Sequence, residues 1–309
     1  MFALLKKQLA VAAQIGIDVR PEGVALARVE RSRTGRGRLV FAEWRLTEDG
    51  VQARDAIFQA EKAHALRGVG AVSVMDPSSY SLLLVEAPDV EPAELRAALR
   101  WRIKDLIDFH IDDTVIDVFD LPGDTPRGRV RMMYVVAARA AAVRARVDTM
   151  EESHLHLSAI DIPELALRNV AALLPEDVGG VALLHLCEGH GLIVVTHQSS
   201  LYLARAIEFD PDPGDGGERA METLTLEIQR SLDYYESHFG QPPVQGVVLS
   251  QGAERDAGLE EHLRRDLPVA VKALELGDVL ECADPPSAAV IARCLPAIGA
   301  ALRQERAAL

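Results

Sequence analysis

Alternation and helical periodicity divide the chain into a pattern that occurs twice. The first copy opens with three strand-like runs, Gln14–Val19, Val24–Val29 and Leu39–Trp44. A tight loop at Arg20–Gly23 and a basic loop at Arg31–Arg38 separate them. A helix is expected over Val51–Leu66 and a strand over Ala71–Met75. The second copy opens with Val181–Cys187, Leu192–Thr196 and Leu201–Ile207, followed by an acidic Gly/Pro/Asp loop at Asp210–Gly217. Its helix is the clearest in the chain. Met221, Leu224, Ile228, Leu232, Tyr235 and Phe239 recur at steps of 3 and 4, laying an apolar stripe along one face until Gly240 and Pro242–Pro243 stop it. A strand at Val244–Leu249, a helix at Ala253–Asp266, a short strand at Val269–Val271 and a last helix near Ser287–Leu302 complete the copy.

Two rounds of three strands, helix, strand and helix predict a duplicated α/β unit, each mixed sheet covered by helices. An insert interrupts the first round after Met75. It holds a strand (Ser81–Val85), a helix at Glu91–Asp108 with Pro92 in its first turn and Leu95, Leu99, Ile103 and Leu106 inward, and a hairpin of Val115–Leu121 with Val130–Ala138. A helix at Ala140–Ser153 closes the insert. The first round resumes with strand Leu155–Ile160 and helix Pro163–Leu174, where Asp161 and Glu164 have capping-box spacing. The acidic stretch Pro175–Gly180 reads as the linker between the halves.

Charge and composition narrow the function classes. A net charge of −14 over 309 residues excludes a general nucleic-acid binder, which needs a basic footprint. Three cysteines without paired spacing (Cys187, Cys282, Cys294) give no disulfide framework and read as free thiols in a reducing compartment. The uncharged stretch Gln8–Ile17 is half the roughly 20 residues that a spanning helix needs. With Lys6–Lys7 before it, this stretch imitates a signal peptide, but it runs into Asp18 and a strand pattern without a cleavage region. The expected location is therefore cytoplasmic.

A duplicated unit with a small domain inserted in its first half resembles the build of actin-like ATPases of the FtsA cell-division type. Four segments narrow the resemblance: GIDVRPEGVALARV (Gly16–Val29), LRWRIKDLIDFHIDDTVIDV (Leu99–Val118), EIQRSLDYYESHFGQPPVQGVVLSQGAE (Glu227–Glu254) and LPAIGAALR (Leu295–Arg303). Together and in order they resemble PilM, the actin-like cytoplasmic family of type IV pilus assembly, and its divergent relative MshI. The resemblance implies an α/β, actin-like (duplicated RNase H-like) two-lobed fold with a small α+β domain inserted in the first lobe. Residues 1–76 and 154–176 would form the first lobe, 77–153 the insert and 177–309 the second lobe. It also implies a scaffold at the cytoplasmic face of the inner membrane. That scaffold would hold the cytoplasmic tail of a PilN-like single-span protein in a groove between first lobe and insert, with a pilus motor ATPase as a further partner. Leu82, Leu84, Trp101 and Phe109 are the expected lining of that groove.

In such a fold two hairpin turns clasp nucleotide phosphates through backbone N–H groups, and a carboxylate from each lobe handles the metal. The family's first turn is similar to GIDIGSSSVK. Here Asp18 remains, but Arg20, Pro21 and Glu22 replace the small residues and Ala25 replaces the lysine. Pro21 lacks an N–H, and Glu22 brings a negative charge. The second turn, similar to Asp-Ile-Gly in the family, is His185-Leu186-Cys187, and the adenosine-side turn is Leu249-Ser250-Gln251-Gly252 instead of LSGG. The implied cleft residues are Asp18, Arg20, Gly23, Gly189, Ser250 and Gly252, with Arg20 a candidate phosphate ligand. This set implies no cofactor or weakly held ATP and magnesium, hence a pseudo-ATPase and no catalytic residue. Two alternatives stay open. One is an active ATPase whose nucleotide state controls partner binding. The other is a cytoplasmic component of a type II secretion system of the GspL type, whose chain normally continues into a membrane span. A sugar-kinase relative would need the second-lobe carboxylate.

His185, Cys187, His190 and His197 cluster along the second hairpin, a spacing that also suits a half-buried strand, and no metal is assigned to them. The five arginines of Arg28–Arg38 read as a solvated hairpin.

Overall fold

The computed structural model describes residues 14–30, 36–48, 50–91, 93–122, 131–187, 189–209, 216–250, 252 and 258–304. The first round is β1 (Gln14–Arg20), β2 (Gly23–Glu30), β3 (Arg38–Leu46), α1 (Gly50–Ala63) and β4 (Gly70–Val74). Then come β5 (Tyr80–Glu86), α2 (Leu95–Ile103), β6 (Thr114–Asp120), β7 (Met132–Arg139) and α3 (Ala140–Glu152). The round ends with β8 (His156–Asp161) and α4 (Pro163–Ala171). The second round is β9 (Val181–Cys187), β10 (His190–His197), β11 (Ser200–Glu208), α5 (Gly216–Phe239), β12 (Gly246–Ser250), α6 (Leu259–Asp266) and β13 (Ala270–Ala273). Short α7 (Leu276–Val279) and β14 (Glu281–Cys282) lead into α8 (Ala288–Ala301).

The duplication is written in the sheets. One has the order β14-β3-β2-β1-β4-β8 and the other β11-β10-β9-β12-β13. In both, three antiparallel strands are followed by two parallel ones, so β3-β2-β1-β4-β8 and β11-β10-β9-β12-β13 are the same motif. The extra strand β14 comes from the second round and pairs with β3 of the first sheet. The insert carries its own sheet, β5-β7-β6.

Alternation along each strand sends one set of side chains outward and one inward. Ile15, Ile17, Val24 and Leu26 pack outward under Ala53, Ile57 and Ala60 of α1. Leu184, Val195 and Val247 do the same under Leu224, Ile228 and Tyr235 of α5. The opposite faces meet: Ala25, Ala27, Leu183, Val194 and Val248 share one core with Leu167 of α4 and Leu295 and Ile298 of α8. Two helices, one from each round, thus fill the space between the sheets. The α8 backbone approaches β1 so closely that a Cβ on Gly16 would overlap the Ala297 carbonyl, and a Cβ on Gly299 would overlap that of Ala166.

Several boundaries differ from the sequence expectations. The helix expected over Glu91–Asp108 is only Leu95–Ile103; Pro92 lies outside the described residues. Leu106, expected inward, is 58% exposed because the chain leaves helical register after Ile103. No capping box forms at α4. Its N-cap is Ile162, whose N–H donates to Asp161, while Glu164 turns away to accept from the Tyr80 hydroxyl. The acidic loop expected at Asp210–Gly217 gives way to α5 from Gly216, and its residues 210–215 lie outside the described set. So do 31–35 of the basic loop and 253–257 of the helix expected from Ala253.

Candidate functional site: a cleft at the strand ends and the edge of the insert

The parallel strands β1, β4 and β8 each carry an aspartate within two residues of the carboxyl end: Asp18, Asp76 and Asp161. Asp18 and Asp161 are buried, and a buried carboxylate needs a partner. Each has an arginine. Arg20 Nε lies 2.8 Å from Asp18 Oδ2, and Arg303 Nη1 lies 2.9 Å from Asp161 Oδ2. Asp76 instead caps the following turn by accepting from the Ser78 N–H.

Arg20 does more than neutralise Asp18. Its Nη1 donates to Cys187 Sγ at 3.5 Å, at the end of β9, and its Nη2 donates to the Arg293 carbonyl at 3.1 Å, in α8. One guanidinium therefore touches both sheets and the helix between them. Burial works against its charge, but Asp18 and Cys187 offset that and its pKa is raised. The Trp44 ring lies beside it, with the Arg20 and Arg293 guanidinium carbons 5.7 and 5.9 Å from the ring centroid. Trp44 also explains Gly23, which pairs with Arg20 across the two-residue turn: a Cβ there would strike the indole. Pro21 and Glu22 between them are exposed.

On the second sheet, His185 and Ser250 are register partners on β9 and β12, and both are buried. Burial, and then the charge of Arg20, pushes the His185 pKa down to about 3, so the imidazole is neutral. Gly189 forms the β9–β10 turn with φ +84°, and Gly252 is half-buried beyond β12; Gln251 lies outside the described residues. The structure brings Asp18, Arg20 and Cys187 into contact and sets Gly23 against Trp44. Neither Gly189 nor Gly252 hydrogen-bonds Arg20 among the described residues. Trp44 and the Arg293 carbonyl were not foreseen as cleft residues; the sequence spacing of 273 between Arg20 and Arg293 carries no local signal.

The four expected groove residues divide between two faces of the insert sheet. Leu82 packs with Met75, Ile162 and Leu165 on the side of the first sheet's elements. Leu84 follows it on the same face by strand alternation. Phe109 packs on the opposite face with Leu83, Leu99 and Ile103. It borders a cavity of about 510 Å³ lined by His110, Asp113, Arg139 and Arg144, and Arg139 lies 4.4 Å above its ring. Trp101, on the outer side of α2, is 75% exposed with Lys104 over its ring. Between the two faces runs β5, which pairs with β7 on one side only among the described residues. The insert also reaches the second sheet, where the buried Tyr134 hydroxyl donates to the Tyr202 carbonyl at 3.1 Å.

No protein-family profile matches the chain. No curated protein sequence matches it either. Solved structures do. The PilM-PilN type IV pilus biogenesis complex aligns over 94% of this chain and 97% of the matched chain, with 18% identity and a TM-score of 0.71. The cytoplasmic domain of EpsL, an inner-membrane component of the type II secretion system of Vibrio cholerae, aligns over 96% and 97%, with 12% identity and a TM-score of 0.53. A protein of Bacteroides thetaiotaomicron with an actin-like ATPase fold and unknown function aligns over 90% and 96%, with 9% identity and a TM-score of 0.51. These likenesses establish the fold: the chain is actin-like.

Proposed function

We propose that this chain is a PilM-like scaffold of a type IV pilus or related secretion machine, that it captures the cytoplasmic tail of a PilN-like single-span protein, and that it works without hydrolysing ATP. In this reading residues 1–76 and 154–176 form one lobe, 77–153 the insert and 177–309 the other lobe, with α8 returning to the first sheet. The protein lies at the inner membrane through its partner. Among the described residues no helix is long and apolar enough to cross a membrane. A pilus motor ATPase would be a second partner, and MshI-type machines are within the same reading.

The observation that carries the tail-binding role is the edge of β5, which has no strand partner among the described residues. An extended peptide can add to such an edge through main-chain hydrogen bonds and send alternate side chains to the two faces. One set would reach Leu82 and Leu84, the other Phe109 and α2 with Trp101. The structure matched by overall fold is itself a PilM-PilN complex, which supports this choice of partner class.

The cleft residues do not fit a magnesium-bound nucleotide. The Asp18 carboxylate is engaged by Arg20, neutral His185 takes the place of the second carboxylate, and Pro21 removes a phosphate-facing N–H from the first turn. Titration with the tail peptide of a neighbouring gene's single-span product tests the first half of the proposal, and absence of binding would contradict it. Titration with labelled magnesium ATP tests the second. Micromolar binding abolished by Asp18→Ala would show an active nucleotide site.

A further inference from the structure

Arg20 sits where three parts of the fold converge. Its own strand belongs to the first sheet, Cys187 ends the first strand of the second sheet, and the Arg293 carbonyl lies in the helix between them. The sequence separations are 167 and 273 residues, so these are tertiary ties and not local turns. Only Nε is spent on Asp18, and the planar guanidinium has five N–H donors, so its two terminal nitrogens remain for other partners. Those nitrogens are the ones that reach Cys187 and Arg293. Trp44 covers the open side, itself flanked by Arg293.

We propose that Arg20 is an internal latch: a single side chain that, at the edge of the core the two sheets share, ties their strand ends to α8 without any ligand. The claim deepens the reading of the cleft as one that takes no nucleotide, and rests on that reading only for its biological sense. A lobed protein whose halves are tied by its own arginine presents one fixed arrangement to its partners. The neighbouring groups suit the role. His185 faces the latch uncharged and does not compete for Asp18, and Arg146 of α3, near Asp18, has its charge disfavoured by burial.

Hydrogen exchange on the full chain, without nucleotide, tests the latch separately from any ATP titration. Arg20→Ala should raise exchange about tenfold or more in peptides covering 184–187 and 292–298, while those of α1 and α5 stay within about twofold of wild type. Unchanged exchange at 184–187 and 292–298, or a uniform rise across the chain, would overturn the proposal. If Arg20→Ala does not fold, Arg20→Lys is the second variant, since an ammonium can pair with Asp18 but lacks the fork that spans Cys187 and Arg293. The same local rise is expected from it, and wild-type exchange would overturn the latch.

Discussion

The α-carbon of Gly16 faces the carbonyl of Ala297 so closely that no side chain can stand between them. Gly16 lies in the middle of β1 and Ala297 follows Pro296 inside α8, so two of the motifs that mark the sequence meet in the fold. The first sheet and the last helix lie backbone to backbone there. Gly16→Ala should cost about 2 kcal/mol or more, because overpacking here has only backbone to push against. In a thermal melt this reads as a drop of roughly 5 °C. The matched variant Gly277→Ala, where a Cβ meets open space, should stay within about 1 °C.

His185 predicts a pH dependence. Its folded pKa of about 3 lies below the ordinary 6.5, so the unfolded chain takes up the proton first. The contribution to stability is full above about pH 6.5 and is lost as pH falls toward 3, with a slope of about 1.4 kcal/mol per pH unit. Urea melts at pH 7 and pH 5 should therefore differ by about 2 kcal/mol more in wild type than in His185→Leu. Glu164, whose pKa is raised by burial, contributes in the opposite sense but equally in both proteins. Equal pH slopes for the two would rule out a buried neutral imidazole.

The cysteines should separate by reactivity. Burial pushes the Cys294 thiol up to about 12 and leaves it inaccessible, whereas Cys187 and Cys282 are partly exposed. Iodoacetamide at pH 8 should modify up to two thiols in the native protein and leave Cys294 intact, all three becoming reactive in urea. Early labelling of Cys294 would show that α8 does not stay docked.

On the insert, Leu84→Glu places a charge on the face reached by a bound tail, and Trp101→Ala removes an exposed aromatic from α2. Each should weaken the tail peptide by about tenfold or more. Trp101→Ala should leave the melting temperature within about 1 °C, because an exposed ring contributes little to the core. Wild-type affinity in both variants would move the docking site off the β5 edge.

Much of this architecture was legible in the sequence, and the exceptions share a cause. β1 announces itself by alternation, β9 by a short, almost continuous apolar run, and α5 by its 3-and-4 stripe, because those signals are local. The repeat of three strands, helix, strand and helix was likewise visible in the sequence. The two-residue β14 is too short for periodicity to reveal, and its pairing with β3 is a long-range event. Leu106 continued a helical spacing that the chain itself abandons after Ile103. Asp161 and Glu164 had capping-box spacing, but Tyr80 competes for Glu164. In the cleft, the bulky turn Arg20-Pro21-Glu22 and the histidine at 185 could be read directly. The use to which Arg20 is put could not, because its partners stand 167 and 273 positions away.

The proposed scaffold grips a membrane partner's tail without nucleotide control. Calorimetric titration of the full chain with that tail peptide, with and without magnesium ATP, tests it most directly. Micromolar binding is expected, with an affinity that changes less than about twofold on adding ATP, since a ligand shifts a conformational equilibrium only by its differential affinity for the two states. No binding in either condition, or binding that appears only with ATP, would contradict it.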